Sequence, residues 1–422
     1  VSKYRAYSVY KNSGVEWLGE VPEHWEVAIL KRKFNVQLGK MLQTKPISEA
    51  DTEEEYLCAV NIQPNGLDLT NIKKMWFSEN DKNKYELKKG DLLVSEGGDV
   101  GRSAIYDLKQ TLYIQNAINR IRPIEKDLTK FLYYWIYSLK IKGYIDIICN
   151  KSTISHFTAE KVEAIETLLP PPKEQQQIVA FLDNKTAHLD TLIEKKQQMI
   201  RLLNEKRIAL ITQAVTKGLD LSVSMKDSGV EWLGNVPKHW GVMRISHVSI
   251  LKSGDAIVSE QIGDTGTYPV YGGNGLRGYF ENFNHDGDYI LIGRQGALCG
   301  NINYGYGKFW ASEHAVVVHP TLPLNFKWLG ETLRVMNLNQ YNVSSAQPGL
   351  AIANIVCLKI PFPTVQEQNN IALYIENETT KLDRMINTIQ SAIAKLQEYR
   401  TALITAAVTG KIDVRTLTPH EG

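Results

Sequence analysis

With 422 residues, 43% of them apolar and 22% charged, the chain is too long for one ordinary domain and can bury substantial cores. Two to four domains are expected, and a disordered tail is excluded. A net charge of +2 excludes binding to nucleic acid by bulk charge alone but leaves room for a local basic cleft.

The chain is written twice. Residues 13–25 read SGVEWLGEVPEHW and residues 228–240 read SGVEWLGNVPKHW, identical at eleven of 13 positions and offset by 215. Strand-like sequence follows each copy, with a glycine at matching spacing, Gly39 and Gly254. Residues 9–40, 88–95, 103–113 and 117–122 read as strands with Gly/Asp/Asn turns. Residues 126–142 read as a helix with Phe131, Trp135, Ile136 and Leu139 on one face. Residues 324–338 are its equivalent, Trp328 standing for Trp135, and both tryptophans are expected in the core.

A second repeated block closes each half. Pro170-Pro171-Pro172 precedes a helical run opening near Glu174-Gln175, and Pro361-Phe362-Pro363 precedes one opening near Glu367-Gln368. The offset is now 193: Leu189-Asp190 matches Leu382-Asp383, Arg207 matches Arg400, and Ala214-Val215-Thr216 matches Ala407-Val408-Thr409. The second middle segment is therefore 22 residues shorter. It also differs in sequence: SEGGDVGRSAIY at 95–106 in the first half, YPVYGGNGLRGYF at 268–280 and IGRQGALCGN at 292–301 in the second. Near-constant frames surround divergent inserts, as expected of a modular reader.

Apolar residues in the helical runs recur every seven positions. The expected seam comprises Ile178, Leu182, Leu189, Leu192, Met199, Leu203 and Leu210 in the first run, broken by Lys196 and Lys206. In the second it comprises Ile371, Ile375, Leu382, Met385, Ile389, Leu396 and Leu403. Heptads this long indicate a coiled coil, and Gly218 and Gly410 are natural stops. Residues 174–214 would span about 60 Å, while the linker 219–228 reaches about 35 Å at most. That reach favours an antiparallel pair within one chain over a dimerisation coiled coil. The expected fold is α+β: two mixed α/β recognition domains separated by an intramolecular antiparallel coiled coil of two long helices, with pseudo-two-fold symmetry. Its parts would be a domain at 1–170, a helical spacer at 171–218, a domain at 219–360, a second spacer at 361–413 and a tail at 414–422.

Sites of chemistry are harder to find. Residues 273–278 match G-x-G-x-x-G, but no helical period follows, so an exposed glycine loop is expected rather than a dinucleotide site. Asp190, Glu194 and Lys196 mimic a nuclease set, yet all lie within two turns of one helix and read as solvated charges. The sequence has no phosphate-binding G-x-x-x-x-G-K-[ST] loop, no [DN]-P-P-[YF] clamp for a target amine and no H-E-x-x-H. Cys58, Cys149, Cys299 and Cys357 lack C-x-x-C spacing, so neither a zinc site nor a disulfide framework is expected, and a reducing cytoplasm fits. Residues 131–137, the longest apolar and aromatic stretch, fall far short of the ~20 a membrane helix needs. Residues 1–5 lead straight into polar sequence without a signal peptide, and the sequon Asn342-Val343-Ser344 has no meaning without secretion.

What remains is a set of glycine-flanked loops with groups suited to base edges and phosphates. In the first half these are Arg102, Ser103, Gln115, Asn116, Arg120 and the run Lys151, Ser152, Thr153, Ile154, Ser155 and His156. In the second half they are Asn274, Arg277, Arg294, Gln295, Ser312, Glu313, His314, Ser344, Ser345 and Gln347. Arginine pairs bidentately with guanine, Asn and Gln with adenine, and Ser or backbone N–H with phosphate.

The twin SGVEWLG…VP-x-HW openings, the P-x-P…EQ helix starts, the Ala-Val-Thr helix ends and the loop PVYGGNG at 269–275 together resemble the specificity subunit of a type I DNA restriction-modification system. The likeness covers essentially the whole chain. One departure is the second helix start, whose EQ pair stands one residue farther from its prolines, leaving the first residue of that helix open. The resemblance implies two target recognition domains, each reading one half of a bipartite site in double-stranded DNA, and helical spacers that dock two modification subunits. It places S-adenosylmethionine, ATP and Mg2+ in partner subunits that methylate adenine N6, translocate and cleave, with no cofactor here. Localisation would be cytoplasmic. The alternative is a two-headed protein-binding adaptor on a coiled-coil strut; an enzyme in its own right ranks last.

Overall fold

Four helices organise the chain: α1 (Thr129–Ile141), α2 (Pro172–Lys217), α3 (Phe326–Val335) and α4 (Val365–Val408). The computed structural model describes residues 4–125, 128–149, 156–296, 298–342 and 349–415. Two compact units divide the chain through both long helices: unit 1 takes residues 1–195 and 391–422, and unit 2 takes residues 196–390. Each unit thus holds the beginning of one long helix and the end of the other.

Within unit 1, Ile178 and Leu182 near the start of α2 share a buried cluster with Leu403, Ala407 and Val408 at the end of α4. Within unit 2, Ile211, Ala214 and Val215 at the end of α2 share one with Ile371 and Ile375 at the start of α4. In both units the two helices therefore run antiparallel. Side-chain pairs fix the register: Arg400 forks onto Asp190 in unit 1 (Nε–Oδ1 2.9 Å, Nη2–Oδ2 3.3 Å), and Arg207 pairs with Asp383 in unit 2. Leu189, Leu382 and Ile389 are buried, and Leu192, Leu203, Leu210 and Leu396 half-buried, as a seam requires. Met199 and Met385 are corrections. They are 48% and 50% exposed, and the apolar row passes through Ile200 and Ile386 instead. A straight α-helix drifts against a strict seven-residue repeat, so the inward phase moves by one residue over this length.

Both helix starts have the same register after all. Pro172 is the first residue of α2, a position where its missing N–H costs nothing. Thr364 caps α4 in a reciprocal box: its Oγ1 accepts from Glu367 N at 3.3 Å, and Glu367 Oε2 accepts from Thr364 N at 3.0 Å. The EQ pair therefore occupies the third and fourth helical positions in both copies, and the apparent extra residue vanishes.

Each unit carries a four-stranded antiparallel sheet of the same order. In unit 1 the strands run Ser103–Tyr106, Asp91–Ser95, Ile118–Pro123, Phe34–Leu38; in unit 2 they run Ile302–Gly305, Tyr289–Gly293, Ala315–Pro320, Ser249–Ser253. Trp135 on α1 and Trp328 on α3 are fully buried behind these sheets, as their spacing predicts. Gly39 and Gly254 follow equivalent edge strands at a close backbone crossing. A Cβ on Gly39 would lie 2.3 Å from the Gln115 carbonyl oxygen, and one on Gly254 2.1 Å from that of Ala311. Only a bare backbone passes there.

The divergent parts form a second sheet. Unit 1 builds it from Tyr113–Ile114, Thr52–Leu57 and Lys73–Phe77; unit 2 from Gly275–Phe280, Tyr268–Gly272, Lys308–Ala311 and His285–Asp286. The segment expected to link the halves is partly structured: Met225–Asp227 pairs with Asn235–Pro237, as Tyr10–Asn12 does with Glu20–Pro22.

Candidate nucleic-acid interface

The repeated motifs bind one another. In unit 1, Glu174 is 4% exposed and its Oε1 accepts from Trp25 Nε1 at 3.0 Å and from the Tyr7 hydroxyl at 2.6 Å, while His24 Nε2 lies 2.8 Å from Oε2. In unit 2, Glu367 Oε1 accepts from Trp240 Nε1 at 3.0 Å, with His239 Nε2 at 2.7 Å. The neighbouring glutamine ties in a second element. Gln175 accepts from the backbone of Leu128, just ahead of α1, and donates to Pro170 O. Gln368 accepts from Asn325 N, just ahead of α3, and donates to Pro363 O. This His-Trp-Glu-Gln frame locks each sheet-backing helix to the start of a long helix.

Burial pushes the Glu367 carboxyl upward, but hydrogen bonds from His239, Trp240 and Thr364 outweigh it and hold the pKa down to about 2. A carboxylate depressed in the folded state contributes stability above its ordinary value of 4.5, and that contribution is lost as pH falls towards 2. Acid titration followed by tryptophan fluorescence is expected to show a loss between these values that Glu367→Gln flattens. Superimposable curves would refute it.

Opposite the frame, three turns converge in each unit. In unit 2, Arg294 N donates to His314 O at 2.9 Å, and Leu350 N donates to Arg294 O at 2.9 Å. A Cβ on Gly273 would lie 3.1 Å from the Gln295 carbonyl and 3.3 Å from that of His314. Asn274, Gln295 and Arg277 are exposed there, and Arg294 and His314 half-buried. Arg294 Nη1 donates to Ser253 Oγ at 3.0 Å. His314 Nε2 lies 3.2 Å from Glu313 Oε1.

Unit 1 repeats the arrangement. Glu96 N donates to Ala117 O and Phe157 N to Glu96 O, both at 2.9 Å, and Asn119 Nδ2 donates to Phe157 O at 2.9 Å. Asn116 and Gln115 are half-buried beside these bonds, His156 is exposed, and Arg102 leans towards Asp99 at 3.6 Å. Ser103 begins the strand after the same turn. Ala117 adopts φ +82°, a left-handed conformation rare for a residue with a side chain and a sign of a tightly constrained turn.

Two candidates are structural instead. Arg120 is 7% exposed and gives Nη1 to the carbonyls of Lys84 (2.9 Å) and Glu86 (2.8 Å); burial and the neighbouring Arg122 push its pKa down to about 10. Ser312 is fully buried, its Oγ accepting from His314 N at 3.4 Å. Lys151, Ser152, Thr153, Ile154, Ser155, Ser344, Ser345 and Gln347 lie outside the described residues. Glu96 is the residue that sequence reasoning missed. It stands in the quoted SEGGDVGR run, and its backbone hydrogen bonds in unit 1 match those of Arg294 in unit 2. Among the described residues no group of three or more His, Cys, Asp or Glu is placed to hold a metal ion, and no helix is long and apolar enough to cross a membrane.

A family model described as "Type I restriction modification DNA specificity domain" matches residues 22–202 and 237–395. The Escherichia coli "Type I restriction enzyme EcoprrI specificity subunit" is 34% identical over 275 residues, 62% of this chain and 62% of that protein, so the match spans just under two thirds of that relative's length. The "Type I restriction enzyme MjaVIII specificity subunit" of Methanocaldococcus jannaschii is 24% identical over 438 residues, 94% of this chain and 95% of that one. A chain solved in a study of complex assembly and conformational transition of the type I R-M system aligns over 93% of this chain and 99% of its own length, at 16% identity and a TM-score of 0.67.

Proposed function

The chain belongs to the family of type I restriction modification DNA specificity domains, which it carries twice, and on that premise we propose that it is the specificity subunit of a type I restriction-modification complex. Each unit reads one half of a bipartite site in double-stranded DNA through its three convergent turns. The paired long helices set the spacing between half-sites and dock two modification subunits. Methyl transfer from S-adenosylmethionine to adenine N6 belongs to those partners, and ATP- and Mg2+-dependent translocation and cleavage to motor/endonuclease subunits, in the cytoplasm.

One contrast carries the reading: both units keep the same frame contacts at the long helices and change the chemistry at the turns. A scaffold duplicated for strength alone would have no reason to divide so. Half-exposed arginine, glutamine, asparagine and histidine on glycine-rich turns are the groups that read base edges in a groove. A net charge of +2 supplies little phosphate attraction, which fits a subunit that relies on its partners for non-specific grip. Met199 and Leu202, exposed one turn apart on α2, supply apolar surface for such a partner.

The test is selection from a randomised duplex library by the subunit assembled with its modification subunits. A bipartite motif is expected, and exchanging residues 26–169 for another insert is expected to change one half only. Enrichment of no sequence, or a change in both halves, overturns the reading.

A further inference from the structure

The two units place opposite charges at one structural position. Glu96 and Arg294 each follow the inner strand of their sheet, and each takes the same two backbone hydrogen bonds: its N–H to the turn before the next inner strand, its carbonyl to the segment after the sheet-backing helix. These four bonds, all 2.9 Å, give residues 96 and 294 equivalent places in the hydrogen-bonding pattern of their own units. One is a carboxylate, the other a guanidinium.

Neither charge is satisfied as the frame residues are. The half-buried Glu96 carboxylate accepts no hydrogen bond from the described residues. Burial pushes its pKa up, an effect that His156 opposes and Glu160 reinforces. Arg294 gives one N–H to Ser253 and keeps the rest of its fork. Buried polar atoms without a hydrogen-bond partner stand beside both: Glu313 Oε2 and His314 Nδ1 in the turn bonded to Arg294, and Oδ1 of Asn119, whose amide nitrogen binds Phe157 O, beside Glu96. Groups withdrawn from water without a partner are costly, so such a cluster marks a place where a ligand completes the bonding. The carboxylates of the frame, Glu174 and Glu367, collect their donors from within the protein.

We infer that residues 96 and 294 are the equivalent base-reading positions of the two units, Glu96 accepting the exocyclic amine of a cytosine and Arg294 donating its fork to O6 and N7 of a guanine. The inference rests on the DNA reading proposed above. A carboxylate among phosphates also acts by repulsion: it weakens binding to every sequence that fails to offer the amine, so it sharpens discrimination at the expense of affinity.

The experiment is duplex selection with the complete methylating complex carrying Arg294→Gln, Arg294→Lys or Glu96→Gln. Arg294→Gln is expected to relax one G·C position in one half-site by roughly 5- to 150-fold, leaving the other half intact as an internal sign of folding. Arg294→Lys, which keeps the charge but loses the planar fork, is expected to relax the same position with unchanged salt dependence. Glu96→Gln is expected to relax one position in the other half-site while total affinity holds or rises. An unchanged motif in any of the three variants, relaxation at an A·T pair, or a change in both halves overturns the inference and leaves DNA recognition standing. Failure of the unaltered complex to select any motif overturns the DNA reading itself.

Discussion

Glu174→Ala is expected to destabilise unit 1 by roughly 3–5 kcal/mol, the range for breaking a buried charged network from one side. The carboxylate is 4% exposed and holds three donors: the Tyr7 hydroxyl, Trp25 Nε1 and His24 Nε2. Tyr7 and Trp25 are themselves buried, so water does not replace the lost acceptor. Glu367 does the same work in unit 2, but a third of its side chain is exposed and half of that of His239 is, so Glu367→Ala is expected to cost about 1–2 kcal/mol. Hydrogen exchange at residues 4–25 and 225–240 separates the two effects. Equal deprotection in the two variants would refute the argument from burial.

Gly254→Ala is expected to cost about 3 kcal/mol or more and to weaken one half-site roughly 10- to 100-fold. The new methyl would lie 2.1 Å from the Ala311 carbonyl oxygen and 2.6 Å from that of Ser312. These are backbone atoms and cannot turn aside as a flexible side chain does. Relief requires opening the crossing where Asp255 N donates to Ala311 O and Gly254 N to Ala315 O, which would shift the turn at Glu313 and His314. Gly39→Ala meets the Gln115 carbonyl at 2.3 Å and is expected to do the same to the other half-site. Quantitative selection on duplexes with one altered half-site checks both. A full-strength half-site with either substitution would show that the crossing does not position the turn.

The repeats made the architecture legible. Two copies of VP-x-HW and two of EQ, with long heptads between, lead to two units joined through antiparallel helices, and the structure has that organisation. What the repeats could not reveal is that the His-Trp of one block binds the Glu of another: the partners stand 149 residues apart, and nothing local marks an acceptor. The glycine-flanked turns were legible as regions, but which of their side chains face inward was not. Arg120 and Ser312 have the right chemistry and neighbours, yet strand parity turns Arg120 inward onto carbonyls of residues 84–86, a stretch with no readable period. Thr52–Leu57 reads TEEEYL, whose charges suggest a solvated loop, yet it pairs with Lys73–Phe77, which sets Lys74 opposite Glu55 and Met75 opposite Glu54. Glu96 escaped because a lone carboxylate in a glycine run suggests nothing about DNA until its structural counterpart is an arginine.

The ion pairs along the helices bear on how such a molecule arises. Asp190 and Arg207 come from the first copy, Asp383 and Arg400 from the second, and each acid is met by the base of the opposite copy. Gly218, ending the first long helix, lies against Trp240, while Gly410, ending the second, lies against Trp25. Every one of these contacts is heterologous in ancestry though repeated in kind. A gene encoding a single copy would therefore specify a self-complementary product, able to meet in its twin the groups that one fused polypeptide now supplies to itself.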